Sequence, residues 1–324
     1  MRRNYSFSII IPTYARPGKL FTCLQSLTRL SYPNDRFEVI VVDDGGGVPL
    51  TPVIDSFCGQ LNLKLLTQPN AGPASARNTG AMEAKGEYLA FTDDDCSVDP
   101  GWLHALTVQL SLTPDHMVGG RTINALPENA YSTTNQLMTD AVYSYYNGDT
   151  SKPHFFASNN IVVPAERFRS LGGFDISFPL AASEDREFCE RWLRQKYAMT
   201  YTPEAVVKHA HALKFHGFLR HHFNYGRGAL HFHRLRVGRG WGRLKPDAKF
   251  YSHLFTYPFT AVGGWRVVWL EAVLVISYVA YMAGFLWEKS KRAVLGHRSI
   301  SDNLLRAQFS KHAVHGHKRS DEVR

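Results

Sequence analysis

Phe91-Thr92-Asp93-Asp94-Asp95-Cys96 sets three adjacent carboxylates at the end of an apolar, β-rich run over residues 88–92. The length and composition of that run predict a buried strand. Three aspartates side by side repel one another, so the turn needs a positive group among them or open water around it. Mg²⁺ and Mn²⁺ suit such a turn, because hard cations prefer oxygen ligands and share carboxylates with substrate phosphates. In open α/β sheets the carboxyl ends of strands are also where ligands bind. The alternative is a solvated acidic turn, with Asp99 capping a helix that begins near Pro100. The triplet alone does not choose between them.

The chain before it alternates. Residues 6–11 predict a first strand, followed by Pro12-Thr13-Tyr14-Ala15-Arg16-Pro17-Gly18 and then by Leu20, Leu24, Leu27 and Leu30 at helical spacing. Residues 37–42 form a second near-continuous apolar run, as expected of a strand covered on both faces, and it ends in Asp43-Asp44-Gly45-Gly46-Gly47. A short helix over 53–57, a strand over 61–66 and a helix over 74–84 lead to the acidic strand. This alternation predicts an α/β fold with a parallel sheet, and it gathers two Asp clusters on one sheet edge. Neither GxGxxG after the first strand nor GxxxxGK[ST] occurs, which argues against a dinucleotide oxidoreductase or a P-loop NTPase.

In order and spacing, IIIPTYARP, VIVVDDGGG, NAGPASARNTG and YLAFTDDDCSVDPGWL closely resemble the family 2 glycosyltransferases with the GT-A fold. The resemblance implies a Rossmann-like, mostly parallel nucleotide-sugar-binding sheet and a nucleotide-diphospho-sugar donor, with a lean to UDP. It puts Thr13 and Tyr14 on the donor side, with Tyr14 against the base. Asp44 would accept from the base's ring N–H, and Arg77 would contact a base carbonyl or the diphosphate. Asp93 and Asp94 would face the ribose and sugar. Asp95 would hold the metal, Mn²⁺ or Mg²⁺, with Asp93 and His209 as further ligands. An ionised Asp only accepts hydrogen bonds, and a metal neutralises a diphosphate leaving group. Where the family commonly has Asp-Gly-Ser, this chain has Gly46 and Gly47 after Asp44-Gly45 and loses a hydroxyl. The residues alone also allow Tyr14 as a surface turn residue, Asp43 as a cap of the glycine turn, and Arg77 as the partner of a helix carboxylate such as Glu83.

Residues 125–150 are polar, without clear periodicity, and read as loop covering the acceptor side. Residues 155–163 read as a strand with a polar insert, Ser158-Asn159-Asn160, and Asn159 and Asn160 are assigned to the acceptor. GGFD followed by SEDREFCERW resembles the family's Glu-Asp motif. That match implies Asp185 as the general base of an inverting transfer and Glu184 as an acceptor contact. The alternative is a helix N-terminus, with Ser183 as cap and both acids favoured by the helix dipole. His209-Ala210-His211, read as strand, points both imidazoles to one face.

Residues 214–245 are dense in Arg, His and aromatics. They predict a basic helix that could bind nucleic acid, lie on an anionic membrane or close over the diphosphate. Within it Phe223-Asn224-Tyr225-Gly226-Arg227-Gly228 resembles a lid segment of some family members, which implies Arg227 near the phosphates. Residues 267–287 carry one formal charge, Glu271, and are long enough to span a bilayer. Residues 250–262 are apolar but shorter. Basic residues flank the pair on both sides, which favours a hairpin or interfacial helix over a single crossing. A buried or oligomer-forming helix is the alternative.

The 324 residues, 44% hydrophobic, suffice for one large domain with an appendage. With 37 Lys+Arg against 28 Asp+Glu the net charge is +9, which points to an anionic partner. Four scattered cysteines without a CxxC pair read as reduced thiols of a cytosolic compartment. Pro12 ends the first apolar run too early for a secretory signal. These readings divide the chain into a GT-A-like catalytic domain (1–212), a basic and aromatic lid or membrane-surface segment (213–249), a hydrophobic helical membrane-associated segment (250–292) and a polar tail (293–324). The expected partners are a nucleotide sugar, a glycan, lipid-linked or other envelope acceptor, and an anionic membrane, with no nucleic acid. The expected place is the cytoplasmic face of the cell membrane, or the cytoplasm if the last helix packs internally. Two alternatives remain. A sugar-phosphate nucleotidyltransferase needs a Gly-rich basic loop after the first strand, hinted at only by Arg16, Gly18 and Lys19. A nucleic-acid-binding protein would use 214–245.

Overall fold

A computed structural model describes residues 7–315 apart from 150, 151, 179, 181 and 244–246, with the backbone course alone over 292–315. Strands β1 (Phe7–Thr13), β2 (Phe37–Asp43), β3 (Leu63–Thr67) and β4 (Tyr88–Phe91) lie parallel in the order β3-β2-β1-β4. Helices α1 (Pro17–Leu27), α2 (Thr51–Asp55) and α3 (Pro73–Glu83) lie between them in sequence. Side chains alternate between two buried layers, as a strand's period of two requires. Ile9, Ile11, Val39 and Val41 join Leu20, Leu24 and Trp102 on one side. Ile10, Ile40 and Val42 join Phe168, Phe188 and Trp192 on the other. Both faces are covered, which is why these strands read as continuous apolar runs.

The second half of the sheet is mixed. After β5 (Cys96–Val98) and α4 (Trp102–Leu112), β6 (Met117–Asn124) and β7 (Ile161–Pro164) run antiparallel to each other, and β7 antiparallel to β4. Strand β8 (Met199–His209) is parallel to β6 and antiparallel to β5, completing the order β3-β2-β1-β4-β7-β6-β8-β5. Register then decides what meets what. Thr13 pairs with Asp43, and His209 pairs with both Asn124 and Cys96, so the end of β8 lies beside the acidic turn.

Residues 125–150, read as loop, contain helix α5 (Ala130–Tyr146), whose inward residues Ser132, Thr134, Leu137, Ala141 and Tyr143 are mostly small or polar. That composition hides the stripe. Asn129 caps the helix by accepting from Ser132 N (2.9 Å), and packing against α9 (Ala248–Ala261) and α10 (Arg266–His315) makes up for poor intrinsic propensity. Of residues 155–163 only the end is strand, and Ser158–Asn160 is a 3₁₀ turn. Asn160 is fully buried. It accepts from Trp102 Nε1 (2.9 Å) and donates to the carbonyls of Arg121 (3.1 Å) and Ala205 (2.9 Å), bracketing α4, β6 and β8. The buried amide thus ties three elements together at the strand junction.

Helices α6 (Ala165–Ser170) and α7 (Glu184–Arg194) precede β8, and α8 (Phe215–Gly238) follows it. Phe218, His222, Gly226 and Leu230 of α8 are buried at intervals of one helical turn. A Cβ on Gly226 would strike the Tyr281 carbonyl of α10, and one on Gly284 the Phe223 carbonyl, so the two helices cross at backbone contact. Much of the basic, aromatic stripe is therefore a packing face. Helix α10 continues through 293–315, the stretch assigned to a polar tail; residues 316–324 lie outside the described residues.

Candidate active site

Two turns meet at the sheet edge. Tyr14, just past β1, is 51% exposed. The next residue, Ala15, is left-handed (φ 54°) and lies against Gly46, where any Cβ would overlap the Ala15 backbone. This contact accounts for the glycine where the family commonly carries serine. Asp43 accepts from Gly46 N (3.0 Å), the capping role. Buried Asp44 accepts from Gln68 Nε2 (2.7 Å), Ala71 N (2.9 Å), Gly72 N (2.9 Å) and Asn70 Nδ2 (3.3 Å). A carboxylate has about four acceptor sites, and with these four partners Asp44 anchors the turn into α3.

The acidic triplet is neutralised by Arg16 and Lys19, which the residues alone offered only to a nucleotidyltransferase loop, together with His209 and Arg77. Asp94 is fully buried, accepts from Thr13 Oγ1 (2.7 Å) and pairs with Arg16 Nη2 (2.6 Å). Burial pushes its carboxyl up to about 6 against the pull of Arg16 and Thr13. Asp94 and Thr13 thus form an internal strut where the resemblance implied contacts to ribose or donor. Asp95 meets Lys19 Nζ (3.0 Å), His209 Nε2 (3.2 Å) and Arg16 Nη1 (3.3 Å). Burial alone would raise it, but His209 first and then Lys19 and Arg16 hold it well below the usual carboxylate range. Asp95, Cys96 and His209 bring one ligand atom each within 4.8 Å of the others. The Cys96 thiol is buried and pushed up, so it stays protonated and leaves a carboxylate and an imidazole, a donor set that fits Mn²⁺ better than a thiolate-loving ion. Asp93 is outside this group.

Asp93 instead faces Arg77. The buried guanidinium donates from Nη2 to Asp93 Oδ1 (2.7 Å) and from Nη1 to Glu184 Oε1 (3.1 Å), with the Phe174 ring 5.6 Å away. Glu83, the partner the residues alone allowed, pairs with Lys64 on the surface. Arg77 thus ties the acidic turn to the first residue of α7. Ser183, just before it, is left-handed (φ 72°) and makes no capping hydrogen bond with its side chain, so the cap reading fails there. Asp185 Oδ1 accepts from Arg186 N (2.8 Å), and the Ser158 N–H also reaches its carboxylate. Burial pushes both carboxyls up. Glu184 rises to about 7, with the charge of Asp185 adding and Arg77 opposing. Arg77→Met leaves two acids without their shared cation. The expected cost is about 3–5 kcal/mol, read as a lower urea midpoint at unchanged slope.

Helix α8 reaches the same edge through residues the sequence did not single out. His221 lies 4.6 Å from His211, ring to ring, and 4.2 Å from Tyr225; His211 stacks 5.0 Å from His209. The two imidazoles of the H-x-H pair do come together, although β8 ends at His209 and His211 lies beyond the strand. Arg227 is not brought to the aspartates. Its Nε donates to Glu288 Oε2 on α10 (3.0 Å), because a buried carboxylate one helix away is the nearer partner. Asn159 is buried and accepts from Thr122 Oγ1 (3.3 Å). Tyr143 Oη accepts from Ala157 N (2.8 Å), one residue before the N–H that holds Asp185. Tyr143 also lines a cavity of about 570 Å³ with Arg121, Gln136, Asp140, Tyr201 and Tyr257.

Residues 8–169 match the family described as Glycosyl transferase family 2, and residues 89–291 match Glycosyl transferase family group 2. Glycosyltransferase AglE of Haloferax volcanii is 28% identical over 231 residues, 69% of this chain and 72% of that one. Several other curated relatives are matched over only about half their length. Among solved structures, the mannosyltransferase PcManGT from Pyrobaculum calidifontis, in complex with GDP-Man and Mn²⁺, aligns with a TM-score of 0.60 at 17% identity over 88% of both chains. TarS 1–349 of S. aureus in complex with UDP-GlcNAc aligns at 0.51 and 18% identity over 89% of this chain and 92% of that one. At these identities the solved structures establish the GT-A fold, including the mixed second half of the sheet.

Proposed function

The chain belongs to glycosyltransferase family 2, and on that premise we propose that it moves a sugar from a nucleotide-diphospho-sugar to a hydroxyl acceptor with inversion, Asp185 acting as the base. The observation that carries this reading is the Arg77 bridge, which joins the acidic turn to the helix bearing Glu184 and Asp185. In a single displacement the acceptor oxygen bonds to the anomeric carbon. The bond from that carbon to the β-phosphate oxygen breaks, the nucleoside diphosphate leaves with the bonding pair, and the acceptor proton passes to Asp185. Asp95 and His209 are the residues that would hold a divalent cation, which when bound neutralises the diphosphate. Lys19 and Arg16 add positive charge at the same edge. Tyr14 is open to stack on the base, and UDP-linked sugars are the first donors to try.

On the acceptor side, the cavity behind Tyr143 supports a polyhydroxylated acceptor. Arg121, Gln136 and Asp140 supply polar contacts, and Tyr201 and Tyr257 supply rings for a sugar face. Residues 1–212 would be the catalytic domain, 213–249 its cover, and 250–292 the part that meets a membrane at its cytoplasmic face. The helix Arg266–Lys291 is long and apolar enough for that role.

The base reading has a signed pH consequence. Asp185 works only when ionised, and burial raises its pKa. The transfer rate should therefore fall as pH drops through a value above the ordinary carboxylate range, losing about tenfold per pH unit below it. A kcat/KM profile in buffers of constant ionic strength reads this directly. A profile flat down to the ordinary aspartate range removes Asp185 as the base.

A further inference from the structure

We infer that the α9–α10 pair docks in the plane of an anionic bilayer interface and does not cross it. This rests on the membrane placement proposed above and is independent of the transfer chemistry. By length alone α10 could cross, since Arg266–Lys291 is 26 residues. One side of that stretch, however, belongs to the protein. Val273 packs with Leu213 and Phe218. Farther along, Tyr281 and Gly284 meet α8 at backbone contact, and Glu288 pairs with Arg227. Helix α8 therefore runs beside α10 from 273 to 288, about 22 Å of helix. A crossing α10 would have to carry the Arg- and His-rich α8 into hydrocarbon or tear away from it.

The opposite side is bare and apolar. Trp265, Trp269, Ile276, Val279, Leu286 and Trp287 are all exposed, Trp265 by 81% and Val279 by 65%, at helical spacing along one stripe. Helix α9 adds Tyr251, Phe255 and Phe259, three consecutive turns of one face. Charge identifies the occupant. Tryptophans stand at both ends of the stripe, where indoles favour the headgroup level. Exposed Lys249, Arg266, Lys289 and Lys291 rim it. Of the carboxylates on this pair, Glu288 is buried against Arg227, Glu271 is half-buried, and exposed Asp247 accepts from Tyr145. An apolar stripe rimmed by cations fits anionic headgroups. Tyr257, also on α9, lines the acceptor-side cavity, so a docked chain would meet its acceptor at the lipid surface.

The test uses the full chain with phosphatidylcholine vesicles, with and without phosphatidylglycerol. Sedimentation should show binding that needs phosphatidylglycerol and weakens with salt. The double variant Trp265→Ser/Trp269→Ser should partition at least ~tenfold less while binding a soluble nucleotide-sugar donor as before. Donor binding is measured in parallel, so a failed transferase reading and a failed docking reading look different. Depth decides the geometry. Labels on Val268→Cys, Val279→Cys and Leu286→Cys, in a Cys58→Ser background that removes the exposed cysteine, should be quenched from lipid at one shallow depth. A Val279 label deepest of the three means crossing and overturns the inference. Absence of vesicle binding, wild-type partitioning of the double variant, or a soluble dimer that Trp269→Ser dissolves also overturns it, the last by making a second copy the occupant.

Discussion

Asp185→Asn should lower the transfer rate by about 10²–10⁴-fold, the usual worth of a positioned general base, with donor KM unchanged. The amide keeps the shape, and its Oδ1 can still accept from the Arg186 N–H that holds the carboxylate. It cannot take a proton at neutral pH. It also removes a buried charge beside Glu184, so the variant should be as stable as the parent or slightly more so. This combination separates the two readings of α7. If Asp185 served only the helix dipole, the same change would cost about 0.3–1 kcal/mol of stability and leave turnover alone. A loss confined to kcat, with donor binding intact, marks an interaction made in the transition state.

Asp95→Ala should abolish metal-dependent donor binding. Among the described residues, Asp95 is the carboxylate that faces His209, Lys19 and Arg16 together. Changes to the partners of a metal ligand commonly cost about 10–100-fold in affinity, and loss of a ligand should cost at least as much. Mn²⁺ affinity, read by calorimetry or by the Mn²⁺-induced rise in melting temperature, gives a readout apart from activity. Asp94→Asn is the control. Asp94 is fully buried against Thr13 and Arg16, so its change should lower stability and spare Mn²⁺ binding. Two neighbours of identical chemistry should then give opposite phenotypes, because one faces the proposed cation site and the other the interior.

The parallel half of the sheet and the edge it builds were legible from period-two burial. Ile9, Ile10 and Ile11 had to alternate between two covered layers, and the aspartates had to follow the strand ends. The triplet's need for positive charge was legible too, but not its source. Arg16 precedes α1 and Lys19 lies in its first turn, and the pairing of β1 with β4 carries both to Asp94 and Asp95. Arg77 was read toward the donor, whereas its partners are Asp93 and Glu184, the latter more than a hundred residues away. The partners of Asp44 and Asn160 were not legible for one reason: a polar residue at a strand end looks the same in sequence whether it faces a ligand or the backbone of a neighbouring turn. Helix α5 escaped because its inward face is built of Ser, Thr, Ala and Tyr, which leave no apolar stripe for periodicity to find.

The most direct test of the central claim is a calorimetric titration of the wild-type chain with UDP- and GDP-sugars, each with and without Mn²⁺. At least one donor should bind with Mn²⁺ present and far more weakly without it, and the bound donor should be the one hydrolysed or transferred. A folded chain that binds no nucleotide sugar in either condition, whether or not it takes up Mn²⁺, would contradict a nucleotide-sugar donor site at this sheet edge.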